Sequence, residues 1–297
     1  MSRDLIIVRG GGDLASGTIW TLRKAGFAVL TLEANHPSAI RRTVAFSEAV
    51  SQGQSRVEDM DCILARDETD AFRLLAMDRL VMLVDEDARI LRHFKQEGKS
   101  APDCHGFRLI ALVDAILAKR NLGTHRDMAP YVVALGPGFT AGEDCDVVIE
   151  TMRGHRLGRI IEHGSAMPNT GIPGMIAGHA ADRVIHANQA GILHTRSEIG
   201  DIVREGQTIA VILDEKGHEF PVSAPFTGLL RGLIRDGYPV TKGFKIADVD
   251  PREHEYENCF TISDKARCIG GAVLTAILGA RSDAARQSLY GRTDTLP

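Results

Sequence analysis

The chain has 297 residues, enough to bury at least one full core and to make two domains the natural expectation. With 44% hydrophobic and 25% charged residues it reads as globular, which excludes a disordered or fibrous chain, and a net charge of −4 argues against a nucleic-acid partner, since phosphate neutralisation needs a surplus of Lys and Arg. The five cysteines are widely spaced with no Cys-x-x-Cys pair and read as reduced thiols; no apolar run approaches the roughly 20 residues of a bilayer span, and Met1-Ser2-Arg3-Asp4 leads into a strand, so a cytoplasmic protein without a membrane partner is expected.

In chain order, Leu5-Ile6-Ile7-Val8 is a short β-branched run expected to be a strand buried on both faces. Ile19, Leu22 and Ala25 then recur at helical spacing, Gly26 supplies a stop, and Ala28 to Leu32 reads as the next strand, completing a βαβ unit. A helix around Asp70 to Ala76, a strand from Leu80 to Val84 and an apolar run near Leu109 to Leu117 continue the alternation. Glycine- and proline-rich loops interrupt strands between Ala134 and Gly174, and short strands separated by glycine turns follow from residue 184 to about 250. Near the end, Ser263 can cap a helix whose apolar face runs through Ile269, Val273 and Ile277, and Gly270 and Gly271 inside it imply a close approach by backbone or ligand. The expected division is a domain over 1–128, a mixed region with binding loops over 129–183, a β module over 184–252, a helical region over 253–281 and a tail over 282–297.

The β module resembles the flattened barrel of biotinyl and lipoyl carrier domains in Ile199-Gly200-Asp201, Ser223-Ala224-Pro225 and Gly237-Tyr238-Pro239. That resemblance puts Lys216 where such carriers hold their modified lysine, although Asp214-Glu215-Lys216-Gly217 is equally an ordinary solvated turn. The expected fold class is therefore α/β: a Rossmann-like parallel-sheet domain followed by a mostly β domain containing a biotinyl/lipoyl-like barrel-sandwich, then a C-terminal helix.

Gly10-x-Gly12-x-x-Ala15, between a strand and a helix, has the context of a dinucleotide fingerprint. Gly10, Gly11 and Gly12, with Ser16, would bring backbone amides and a helix start to a phosphate, and Glu33, ending the second strand, would accept from ribose hydroxyls. Asp13 complicates this, because a carboxylate there can cap the helix and repel phosphate, leaving a plain tight turn as the other reading. Arg41 and Arg42 read either as contacts to an anionic group or as an exposed basic pair. Gly164 to Gly174 concentrates turn-forming and hydrogen-bonding residues, so Asn169 and Thr170 are expected to join Arg153 and His155 in a cradle for a phosphate or a pterin-like heterocycle, with structural turns as the alternative. Asp114 and Glu150 follow apolar strands and could act as acids, bases or ligands, or cap helices. Cys259 and Cys268 flank Lys265 and Arg267, where a lowered thiol pKa would let either carry a persulfide or selenide; an inert buried thiol is the alternative. The histidines lack the spacing of a metal site, and no metal is expected.

Taken together, Arg9-Gly10-Gly11-Gly12-Asp13, Ile40-Arg41-Arg42-Thr43-Val44, Val113-Asp114-Ala115, Leu135-Gly136-Pro137-Gly138, Arg153-Gly154-His155, Pro168-Asn169-Thr170-Gly171, Asp248-Val249-Asp250-Pro251-Arg252 and Ser263-Asp264-Lys265-Ala266-Arg267 resemble the YqeB-type accessory proteins of selenium-dependent molybdenum hydroxylases. The first segment is also similar, more distantly, to the nucleotide-binding part of xanthine dehydrogenase accessory proteins. These resemblances imply maturation of a client molybdenum hydroxylase, with a nucleotide or molybdopterin-type cofactor as ligand and assistance to selenium or sulfur insertion. Two other functions stay open, an NAD(P)-dependent oxidoreductase and a non-catalytic scaffold that docks the hydroxylase; a homo-oligomer is also left open.

Overall fold

A computed structural model describes residues 2–94, 104–171, 175 and 178–290. The first element, β1 (Arg3–Arg9), carries Leu5 to Val8 with no exposed surface, as a strand covered on both faces requires. Helix α1 (Asp13–Lys24) starts at Gly12, carries Asp13 in its first turn, where a carboxylate suits the helix dipole, and is followed by Gly26 at φ +91°. The chain continues through β2 (Ala28–Glu33), a short α2 (Ala49–Gln52), the hairpin of β3 (Gln54–Val57) and β4 (Met60–Leu64), and α3 (Glu68–Ala76), which is capped by the Asp67 carboxylate accepting from Asp70 N–H. Then come β5 (Leu80–Val84), β6 (Phe107–Asp114), β7 (Val132–Leu135), β8 (Val147–Ile149) and β9 (Ile160–Ile161).

These nine strands form one sheet in the order β3-β4-β5-β2-β1-β6-β7-β8-β9. The interior pairs from β4 to β8 are parallel, while β3 on β4 and β9 on β8 are antiparallel. Alternating residues fill two cores. Leu5 and Ile7 join Phe72, Ile90 and Phe107 on one face, and Ile6 and Val8 join Ile19, Phe46, Ile269 and Val273 on the other.

Eight further strands follow: β10 (Val184–His186), β11 (Gly191–Thr195), β12 (Ile202–Val203), β13 (Thr208–Leu213), β14 (Glu219–Ser223), β15 (Gly228–Leu233), β16 (Tyr238–Val240) and β17 (Lys245–Asp250). They form two antiparallel four-stranded sheets, β10-β17-β15-β12 and β14-β13-β11-β16, around a third core that includes Leu193, Ile212, Leu230 and Ile246. The expected fold class is corrected on both counts. The first sheet is mixed rather than parallel, with an antiparallel strand at each edge, and the second region is a pair of antiparallel sheets with no clear biotinyl/lipoyl barrel-sandwich. Glycine turns mark where strands stop, but the choice of partner across a sheet is a long-range matter that turn spacing does not encode. Lys216 sits in an exposed turn where the Asp214 carboxylate accepts from the Lys216 and His218 N–H groups.

The last helix, α4 (Asp264–Tyr290), is capped by Ser263, whose hydroxyl accepts from Ala266 N–H, and it continues into the stretch read as a tail. It returns to the first sheet and packs along α1. A Cβ added at Gly17 would lie 2.7 Å from Ala266, and one at Gly270 2.5 Å from the Thr21 hydroxyl and 2.7 Å from the Gly17 carbonyl oxygen. Gly17 thus meets Ala266 and Thr21 meets Gly270, so the two helices run in the same direction, backbone against backbone, with their amino termini at one end. Gly271 has no such neighbour.

Candidate functional site

The strand order turns about β1, whose neighbours β2 and β6 lead to opposite edges, and the crevice beyond the carboxyl ends of such strands is where ligands commonly bind in open α/β sheets. At Gly10 and Gly11 this crevice is filled by the protein itself. A Cβ on Gly10 would lie 2.8 Å from the Ala115 carbonyl oxygen, and one on Gly11 2.8 Å from Met82 and 3.0 Å from Ser47 N. Gly11 N–H donates to Glu33 Oε2 at 2.7 Å and Ala34 N–H to Glu33 Oε1 at 2.8 Å. Burial raises the Glu33 carboxyl pKa, with these two amides opposing the shift. Ser47 N–H donates to the Gly11 carbonyl, and the buried Ser16 hydroxyl accepts from Phe46 N–H. Glu33, Gly10, Gly11 and Ser16, expected around a nucleotide, are therefore engaged in closing the turn; Glu33 holds backbone amides where a ribose was expected.

One residue farther the turn opens. A Cβ on Gly12 would meet nothing within 4 Å, and Asp13 and Leu14 line a cavity of about 1110 Å³. This space lies between the loops that follow β6, β7, β8 and β9, the amino termini of α1 and α4, and the sheet containing β10, β15 and β17. Eight Lys and Arg side chains line it against three Asp. Some charges are paired within the walls: Arg41 Nη1 with Asp13 at 3.3 Å, Arg153 with Asp264 through two bonds of 2.8 and 2.9 Å, and Arg183 with Asp248 at 3.4 Å. Behind the lining, the fully buried Asp250 accepts from Arg252 at 2.7 and 2.9 Å and lies 3.8 Å from Arg231. Burial alone would raise the Asp250 pKa, but Arg252 and Arg231 bring it below the usual range. Counting Asp250 as well, the cations still outnumber the carboxylates.

Arg41 and Arg231 stand out. Arg41 is 7% exposed, and the Nε atoms of both guanidiniums are buried without a hydrogen-bond partner. Burial and then the neighbouring Arg41 charge lower the Arg231 pKa. Lys265, in the first turn of α4, is lowered by burial and next by Arg153. Like charges held together away from water favour an anion between them.

The cavity brings together Asp13, Arg41, Arg153, Asn169 and Thr170. His155 is exposed and outside it, and Arg42 donates to the Leu233 carbonyl and pairs with Glu48, joining the two regions of the fold. Asp114 is buried among Thr124, Ile116 N–H and Arg9, and burial raises its pKa. Glu150 is 2% exposed and accepts from Met152 and Met167 N–H, fixing two cavity loops from behind. Ile172, Pro173 and Gly174 of the expected loop lie outside the described residues. Neither thiol lines the cavity. Cys259 is wholly buried with its pKa raised by desolvation, as the inert-thiol reading has it, and Cys268 is exposed with its sulfur directed toward the Leu157 carbonyl.

Sequence reasoning missed Lys119, Arg183, Arg231, Lys245, Arg252 and Lys265. The usable signals were an arginine inside the apolar run Leu229 to Leu233 and the charged strings around Asp248 to Arg252 and Asp264 to Arg267. Among the described residues no group of three or more His, Cys, Asp or Glu is arranged to hold a metal, and no helix is long and apolar enough to cross a membrane.

No protein-family model matches the chain. Over 274 residues, 92% of the chain, it is 47% identical to the uncharacterized protein YqeB of Escherichia coli (strain K12), and the match takes in 47% of that protein, so the chain spans about half the length of the curated relative it matches. Solved structures similar to it include an aspartoacylase family protein from Mesorhizobium loti, with 11% identity, a TM-score of 0.28 and coverage of 84% of this chain and 85% of the other. A succinylglutamate desuccinylase/aspartoacylase from Rhodobacter sphaeroides has 14% identity, a TM-score of 0.26 and the coverages 84% and 85%. Superpositions this partial carry no argument about architecture or activity.

Proposed function

We propose that this chain is a cytoplasmic accessory protein in the maturation of a selenium-dependent molybdenum hydroxylase, and that its part is to hold a phosphorylated, anionic small molecule, a nucleotide or the molybdenum pterin cofactor, in the cavity between its two regions. The observation that carries the ligand class is the lining of eight Lys and Arg against three Asp, set where the amino termini of two parallel helices point the same way. Its volume, about 1110 Å³, suits a ligand of cofactor size. The maturation role rests on the motif resemblance. No cysteine lines the cavity among the described residues, so selenium or sulfur transfer falls to the client or a further partner rather than to the chain's own thiols. The oxidoreductase alternative is less well supported, because Gly11 and Glu33 satisfy each other where a dinucleotide would need both.

Thermal unfolding of the full chain against ATP, CTP, GTP, NADH and molybdopterin tests the ligand class. Binding of a nucleotide or molybdopterin raises the midpoint by mass action, and the rise shrinks with added salt. Stabilisation by none of them at millimolar concentration overturns the proposal. Stabilisation by NADH alone, abolished in Gly12→Val, moves the case to the oxidoreductase.

A further inference from the structure

The cavity's lining is not uniform. The wall built from the antiparallel sheet presents Arg231 on β15, Lys245 on β17, Arg183 just before β10 and Arg252 just after β17. From the first sheet, the end of β7 and the loops after β6, β7, β8 and β9 present Leu117, Leu135, Pro137, Met152, Met167 and Met175, with Lys119 and Arg153 among them. Two of these methionines are openly displayed, Met167 at 41% and Met175 at 76% exposure.

We infer that the cavity orients its ligand end to end, gripping phosphate groups on the arginine and lysine wall around Arg41, Arg231 and Lys245, and laying an aromatic heterocycle against the methionine wall around Met152 and Met167. The inference rests on the ligand class proposed above and adds direction to it.

The cationic end is assembled by the tertiary fold. Leu233 N–H donates to the Ile40 carbonyl at 2.8 Å, and Gly232 lies so near Arg41 that an added Cβ would come within 3.3 Å of its Cγ, so the β15 edge delivers Arg231 to the Arg41 side chain. Arg41 and Arg231 keep buried, unpartnered Nε atoms, and the exposed Lys245 ammonium makes no hydrogen bond or ion pair among the described residues. A smaller recess of about 140 Å³ runs from Lys245 and Arg41 to Gly12, the open start of α1. Asp13 and Asp248 share this recess, but each is bonded to a wall arginine, Arg41 and Arg183 respectively. A phosphate there would meet guanidinium, ammonium and helix-terminal N–H donors together.

The methionine wall suits a ring. Thioethers are polarisable and adaptable, and they pack favourably against aromatic edges and faces. A ligand consisting only of phosphate would have no use for that surface, and a neutral heterocycle would leave the excess of cations over carboxylates uncompensated.

Calorimetric titration of the full chain with pyrophosphate, ATP and molybdopterin reads out both ends. Lys245→Met is expected to weaken pyrophosphate and the ring-bearing ligands alike by about tenfold or more. Met152→Ala combined with Met167→Ala is expected to weaken whichever of ATP or molybdopterin binds by about tenfold, while pyrophosphate changes less than about twofold. Unchanged unfolding midpoints of the unliganded variants establish that they fold. If ATP or molybdopterin binds but pyrophosphate does not compete, or if the two variants affect all ligands equally, the orientation is wrong and the ligand class stands. If wild-type chain binds neither ATP nor molybdopterin, the ligand class fails and the orientation falls with it.

Discussion

Two halves of one glycine turn behave in opposite ways. Gly10 and Gly11 are packed shut by Ala115, Met82, Ser47 and Glu33, whereas Gly12 and Asp13, next along the chain, open onto the cavity. Both halves have the small residues and the helix start that invite an anion. What separates them is how far the chain fills the space around the donors: at Gly11 the Glu33 carboxylate takes the N–H and the pocket is packed, whereas at the amino terminus of α1, where Asp13 accepts from Leu14 N–H, the space beyond Gly12 is left open. A phosphate-binding turn is thus defined as much by what fails to fill it as by its glycines.

The largest expected effect tests the helix pair that carries the open half. Gly17→Val places branched carbons where a Cβ alone would be 2.7 Å from Ala266, so it should destabilise the protein by roughly 3 kcal/mol or more, read as a lower denaturation midpoint, and separate α4 from α1. A variant as stable as wild type would show that the two helices do not depend on this approach.

Glu33→Gln tests the closed half. It removes one of two acceptors for buried amides and should destabilise by about 1–3 kcal/mol near pH 5. Because the folded-state pKa of Glu33 is raised, the folded chain holds this proton more tightly than the unfolded one, so wild-type stability declines as pH rises from the ordinary carboxylate range through the raised value. The difference from Glu33→Gln should narrow over that interval in urea unfolding; a widening gap would contradict the buried environment.

Alanine at adjacent glycines sharpens the contrast directly. Gly11→Ala must displace Met82 or Ser47 and should lose about 1–3 kcal/mol, while Gly12→Ala, at φ −65° with free space around it, should lose less than about 1 kcal/mol. Equal losses in thermal unfolding would erase the distinction between closed and open halves.

The smallest effect belongs to the cavity rim. Arg153 holds the Asp264 carboxyl well below the usual carboxylate range, so this pair stabilises the fold above about pH 4 and its contribution fades as pH falls toward the lowered value. With side chains 47% and 73% exposed, solvent screening limits it to under about 1 kcal/mol, and Asp264→Asn should differ from wild type by only that at pH 7 and by nothing in strong acid. A large difference persisting in acid would mean Asp264 has another role.

The sequence by itself determined the local elements: the buried β-branched run of β1, the helix that Gly26 ends, and the helix that Ser263 caps each follow from side-chain type and spacing over a few residues. It also marked Asp13, Arg41, Arg153, Asn169 and Thr170, which do share one cavity. Only the tertiary structure decided that the second region is two antiparallel sheets, that Glu33 closes the turn, that Cys259 is buried outside the cavity lining, and that Arg231, Lys245 and Asp13 share a common space. Strand partnership, burial and the meeting of charges some two hundred residues apart are long-range outcomes of packing, and no local pattern of residues carries them.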